Sequence, residues 1–309
     1  MKTPGILLFV LLAAGLARGP AQETPSPAAP VPVTAPKVDL PGASPAENIA
    51  LFPPVKLPPL PFQYFLAAEN KGRAAKKIPL RQIERKGAPS LDGEGDDQFQ
   101  VPAMRQTKGT NWLKGTKPLP PGFPLTFHDQ TLIRAIPNAS STVLLYHAFP
   151  EAPRYLVAVD RVSGKPSVAF DFEKSILAPK TKDKQFGQQG VTWALQEGDI
   201  LYMSRGHNGY AKDAGGQTGY LFAWSIPEQK LLWNSRPLVC NSDNFVIVGD
   251  VMICGYGFTA EPDFLYQINR WTGAVLDTIK LKTGPEYLVR KDGKLYVRTY
   301  DSNYVFECP

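Results

Sequence analysis

Between Asn244 and Leu281 short apolar runs alternate with Gly, Asp and Thr, a rhythm that predicts four β-strands in succession. Asn244 to Val248 is apolar and ends at Gly249-Asp250. Val251 to Tyr256 returns as a second strand, and Phe264 to Asn269 follows the Thr259 to Pro262 loop. Thr272-Gly273 then turns the chain into Ala274 to Ile279. Gly and Asp supply the left-handed or side-chain-bonded backbone that tight turns need. A meander of four strands in roughly forty residues is the repeating unit of a β-propeller.

The same rhythm recurs on both sides. Tyr155 to Lys165 aligns with Tyr220 to Lys230 and with Phe264 to Ala274, and Tyr304 to Cys308 begins a fourth copy. The preceding strands align as Leu144 to His147, Ile200 to Ser204, Val251 to Gly255 and Lys294 to Arg298. Tyr146, Tyr202, Ile253 and Tyr296 hold one common slot. Gly198-Asp199, Gly249-Asp250 and Asp292-Gly293 mark the first turn of their repeats. The expected fold is all-β, a propeller of four-stranded antiparallel blades with four recognisable repeats, over residues 128–309. The last repeat lacks its outer strand. A strand from upstream, Phe99 to Met104, is expected to close the ring beside Tyr304 to Cys308; a degenerate extra blade before Thr131 is the alternative.

The Ala-x-Asp-x-x-Ser-Gly-Lys stretch of Ala158 to Lys165 resembles the repeat of the PQQ-like (quinoprotein-type) β-propellers. The resemblance covers Thr131 onward and implies the fold rather than an activity, since many such propellers carry no cofactor. That family places a Trp on the fourth strand between blades. Trp233 fills the slot here, while Val168 and Asp277 stand in it elsewhere. A YVTN- or WD-type propeller stays open. Quinoprotein dehydrogenases set adjacent cysteines against the quinone, and this chain has no Cys-Cys pair. The resemblance therefore points to a non-catalytic branch, with no cofactor.

Upstream the pattern changes. Lys2, the apolar run Ile6 to Leu16 and small residues at Gly19 and Ala21 read as a secretory signal peptide over residues 1–21. The run is short for a membrane span, and no Cys near the cleavage region offers a lipid site. An exported, soluble chain is expected, periplasmic or extracellular, with any envelope association peripheral. Residues 22–61 are a Pro/Ala-rich tract read as a disordered, polyproline-like spacer. Residues 62–127 are basic and contribute most of the net charge of +6. Ala67 to Lys77 is compatible with a short helix that Pro79 prevents from continuing. No interleaved aromatic or groove-reading pattern accompanies the charge, so no nucleic acid is expected as partner.

The chain's three histidines, His128, His147 and His207, have no partners at metal-ligand spacing, and no metal site is expected. There is no GxSxG elbow and no phosphate loop. Asp92 to Asp97 alternates acids as a calcium loop does, but Ala103 stands where the bidentate Glu belongs, leaving an acidic turn. Asn138-Ala-Ser140 is a glycosylation sequon. In an exported chain the three cysteines suggest one disulfide, Cys240–Cys254 by proximity or Cys254–Cys308 as its rival. The loop Arg205 to Gly219 is longer than its hairpin needs and carries Arg205, His207, Asn208, Tyr210, Lys212 and Asp213, the candidate binding residues. The composite expectation is a non-catalytic scaffold that presents rim loops to a protein partner. The alternative is an enzyme or small-ligand binder, which requires polar groups from several blades to converge on the axis.

Overall fold

The structure, a computed structural model, describes residues 44–88, 122–147, 154–173, 189–207 and 209–309. The chain begins with α1 (Pro45–Leu51), β1 (Val55–Lys56), β2 (Phe65–Leu66) and β3 (Arg81–Gly87). After β4 (Thr126–Phe127) come β5 (Gln130–Pro137), β6 (Ser141–His147), β7 (Tyr155–Asp160) and β8 (Pro166–Asp171), the first blade. The second holds β9 (Gly190–Glu197), β10 (Ile200–Gly206), β11 (Tyr220–Ser225) and β12 (Lys230–Asn234). The third holds β13 (Val246–Val248), β14 (Val251–Phe258), β15 (Glu261–Asn269) and β16 (Val275–Lys280). β17 (Pro285–Lys291), β18 (Lys294–Thr299) and β19 (Ser302–Glu307) begin the fourth, and β3 completes it. Four antiparallel sheets stand in a ring, a four-bladed β-propeller.

Local turn chemistry makes the blades. Asp160 accepts the N–H groups of Val162 and Ser163 at 3.1 and 2.7 Å, and Gly164 closes the turn at φ 67°. Asn269 does the same for Trp271 at 2.9 Å with Gly273 at φ 71°, and in blade 2 Gln229 takes the position at φ 51°. The next residue in each copy, Arg161, Ile226 or Arg270, donates its N–H to the carbonyl of Ser140, Asp199 or Asp250 in the facing turn, at 2.9, 2.9 and 3.1 Å. One bond thus ties the two hairpins of a blade together. Apolar side chains pack between the blades: one cluster runs through blades 1 to 3 and includes Tyr287 of blade 4, another joins blades 3 and 4, and a third gathers Ile49 and Phe52 with residues of blade 1.

The segment before the repeats is a strap around the blades. α1 carries a capping box, Ser44 and Glu47 each accepting the other's N–H, and buries Ile49 and Phe52 on blade 1. β1 adds to β8 in parallel, and β2 adds to β12 antiparallel. Ile78 exchanges both backbone bonds with the Gln267 side chain of blade 3, at 2.7 and 2.9 Å. β3 pairs with β19 from Ser302↔Gly87 to Glu307↔Arg81. The strap meets blades 1, 2, 3 and 4 in chain order.

Three expectations are corrected. The spacer does not extend to Pro61: Val55, Leu57 and Leu60, the apolar residues among the prolines, are buried in one cluster with residues of blades 1 and 2. The closing strand is Arg81–Gly87, which occupies the edge of β19; Phe99 to Met104 lies outside the described residues. In place of a helix over Ala67 to Lys77 there is one 3-10 turn, Ala68–Asn70, which Gly72 follows at φ 84°. Among the described residues, the chain before Thr131 adds strands to existing blades and forms no blade of its own.

Candidate functional site

The loop singled out by sequence is docked rather than free. Arg205 still belongs to β10 and is fully buried. Its guanidinium lies 4.5 Å from the ring centres of both Phe62 and Tyr220, and bonds to the Pro61 carbonyl and to Asn234 Oδ1 at 3.3 Å. Burial pulls its pKa down to about 9 against a smaller pull from Tyr220, and among the described residues no carboxylate pairs with it. His207 is half-buried, and desolvation holds its imidazole below the ordinary range against the opposing pull of Asp213 and Glu261. Tyr210 meets Phe258 edge-on at 4.7 Å, and Lys212 lies 5.1 Å over the Tyr210 ring. Glu261 of blade 3 accepts the Ala211 N–H at 2.6 Å and the Tyr256 hydroxyl at 2.5 Å, which fixes the 3-10 turn Ala211–Ala214. Lys212 is exposed and Asp213 partly so; Asn208 lies outside the described residues. The loop is a brace between blades 2 and 3.

Arg205 belongs to a different constellation, one that sequence reasoning missed. Three polar side chains of blade 2 grip three consecutive strap carbonyls. Arg205 bonds Pro61, the Tyr220 hydroxyl donates to Phe62 at 2.8 Å, and Asn234 Nδ2 donates to Gln63 at 2.8 Å. The Phe62 ring stands edge-on to Tyr220 at 5.8 Å. Downstream, the Ala67 N–H reaches the Leu232 carbonyl at 2.9 Å. The three donors address backbone carbonyls alone, and Pro61, which lacks an N–H, keeps its carbonyl as a full acceptor. Polar residues at predicted inward strand positions, with the LPPLPF run upstream, were the available signal.

A second polar group gathers where the first strands of the sheets converge. Arg134, beside a bulge in β5, donates to the carbonyls of Thr192 in blade 2 at 2.8 Å and Asp243 at the entry to blade 3 at 2.9 Å. The Asp243 N–H donates to the Glu286 carbonyl of blade 4 at 2.6 Å. Burial, then the neighbouring Asp243 carboxylate, pushes the Glu286 carboxyl up to about 7 against the pull of Arg298. Between the usual 4.5 and about 7 the folded chain therefore holds a proton that the unfolded chain releases, so stability falls as pH rises. The full shift corresponds to ~3 kcal/mol, reduced to about 1–2 because the residue is partly exposed to water. Glu286→Gln is expected to abolish this slope and to melt above the parent near pH 8. Parallel melting curves of the two chains from about pH 5 to 8 would contradict it. Among the described residues no group of His, Cys, Asp or Glu is arranged to hold a metal.

Cys240, Cys254 and Cys308 are free and buried, so the expected Cys240–Cys254 bond is not formed here. The two residues are nevertheless neighbours. The Cys254 thiol donates to the Val239 carbonyl at 3.1 Å, and the N–H groups of Asn241 and Ser242 share the Gly255 carbonyl at 2.9 and 3.1 Å. Cys308 packs in the other apolar cluster, between blades 3 and 4. Burial, with Cys240 alongside, raises the Cys254 thiol well above its usual range, which keeps the reactive thiolate scarce. Prolonged, strong oxidation is expected to join Cys240 to Cys254, with Cys308 alkylated only once the chain is unfolded. Peptide mapping that recovers Cys254 with Cys308 would contradict this.

Comparison with models of known protein families finds no match, and neither does comparison with curated proteins. Among solved structures, BamB from Moraxella catarrhalis is similar over 55% of this chain and 56% of its own, at 12% identity and a TM-score of 0.32. The aligned part thus spans about half of that protein. The computationally designed Ika4 protein is similar over 57% of this chain and 89% of its own, at 11% identity and a TM-score of 0.34. Likenesses this loose carry no argument about function.

Proposed function

We propose that this chain is an exported, non-catalytic propeller of the PQQ-like repeat kind that serves as a protein-binding scaffold in the periplasm or outside the cell. The observation that carries the reading is the strap. Added strands at β8, β12 and β19, apolar anchors in the seams and side-chain donors on bare carbonyls are the means by which proteins recognise extended peptides. A rim that holds its own extended segment in these ways has the chemistry to hold another. Two outer strands support this. β3 is exposed along its whole length, and among the described residues no strand pairs with the outer edge of β3 or of β16. No helix among the described residues is long and apolar enough to cross a membrane.

Cross-linking mass spectrometry on the native envelope fraction tests the scaffold. The expected links join one recurring partner to lysines along the rim, Lys76, Lys86 and Lys280 among them. Links scattered over many proteins, or a hydrolytic or redox activity purifying with the chain, would overturn it. The convergence of Arg134, Asp243 and Glu286 favours a second reading, a small polar ligand held at the ring centre. Under that reading Glu286→Gln abolishes a ligand-induced thermal shift while leaving the rim cross-links in place.

A further inference from the structure

We propose that Arg205, Tyr220 and Asn234 form a receptor site for an extended proline-rich segment with a Pro-aromatic step, and that Pro61–Gln63 occupies it in cis in place of a partner's segment. This rests on the scaffold reading and narrows it to one place on the rim. The contacts are those of recognition. Each donor addresses one carbonyl of three in a row, and the aromatic after the proline packs on Tyr220 and under the guanidinium. Polyproline backbone is extended before it binds, so little ordering entropy opposes its docking.

The energetics argue for a ligand role over a purely structural one. Arg205 is fully buried, and among the described residues no carboxylate pairs with it and its Nε and Nη1 find no hydrogen-bond partner. A buried cation in this state is a poor device for stability, because an apolar side chain of equal volume packs at less desolvation cost. The cis segment leaves two donors unused. A partner segment bringing further acceptors to the Pro-aromatic step satisfies them and can displace it. The adjoining hold is modest: β2 is only two residues long, with Trp233↔Leu66 and Asn234↔Phe65 as its pairs.

The test uses the full chain and a fluorescein-labelled peptide with the sequence of residues 56–66, KLPPLPFQYFL. Phe62→Ala weakens the cis occupant and leaves the three receptor side chains intact. This chain is expected to bind the peptide about tenfold or more tightly than the parent does. Adding Arg205→Met, or replacing by Ala the peptide residue that matches Phe62, is expected to remove the gain. A folded Phe62→Ala chain that binds no better than the parent, or binds a scrambled peptide equally, overturns the proposal. Dimerisation of that chain in place of peptide capture would assign the site to strap exchange between copies, and also overturns it. Should Phe62→Ala fail to fold, amide exchange of the parent decides. Exchange at Phe65 to Ala67 about a hundredfold faster than in β11 supports a site that opens without unfolding, and equal rates refute it. Failure of any of these leaves the scaffold reading to its own cross-linking test, which reports on the other edges of the rim.

Discussion

Arg205→Ala is expected to lower unfolding stability by about 3 kcal/mol, whereas Arg205→Met is expected to cost about half as much. The Ala variant leaves the Pro61 carbonyl and Asn234 Oδ1 without their donor, and it opens a hole between the faces of Phe62 and Tyr220. Each unsatisfied buried acceptor costs about 1–3 kcal/mol, and the lost packing adds to that. Methionine leaves the same two acceptors without a donor, but it refills the space, places a sulfur against aromatic rings and removes the charge that burial already disfavours, which offsets part of that loss. Urea unfolding of the three chains, followed by fluorescence, separates the cases. Equal losses for Ala and Met would mean that the guanidinium's bonds and charge stabilise the site and that its packing between the rings does not. No loss for either would place Arg205 in solvent, as a free loop requires.

Gly273→Ala is expected to cost about 3 kcal/mol, and Gly249→Ala only about 1 kcal/mol. Both glycines adopt left-handed backbone, at φ 71° and 56°. They differ in what a methyl group would meet. At Gly273 it would stand 2.4 Å from Cε3 of Trp233, whereas at Gly249 nothing lies within 4 Å. Trp233 is nearly fully buried, and its indole N–H donates to the Arg270 carbonyl at 2.8 Å, so the ring cannot retreat without breaking a bond between blades 2 and 3. The backbone penalty is common to both substitutions, and the overpacking belongs to one. Equal costs in parallel denaturant titrations would show that the Trp233 ring does not pack against the blade 3 turn.

These two positions also show what was legible in the sequence. Gly273 and Trp233 stand out in one dimension because turn chemistry is local. Asp160 with Gly164, Ser225 with Gln229 and Asn269 with Gly273 keep the same spacing, and each copy folds into the same turn. The closing strand is different in kind. Arg81–Gly87 is exposed throughout and carries Ile83 as its one large apolar residue, so it lacks the alternation that betrays a strand, and its partner is more than two hundred residues away. The Ser44 to Glu47 capping box was readable, but the surrounding prolines masked it. No local sign marks the docking of the Arg205 to Gly219 loop, because Glu261, its anchor, lies on another blade. Arg134, Asp243 and Glu286 are ordinary charges in or beside separate first strands until the ring brings them together.

The claim on which the rest depends is that the upstream strap, and not another segment, completes blade 4. Cross-strand disulfide trapping tests it directly. Glu84 and Val305 are register partners on β3 and β19, and the native cysteines are buried away from mild oxidant. The double variant Glu84→Cys/Val305→Cys is expected to form an intramolecular cross-link that runs faster on a non-reducing gel, maps to those two positions and raises the melting temperature. A folded double variant in which both introduced thiols stay free and react at once with maleimide would contradict the closure, and with it the reading of the rim as a peptide-binding surface.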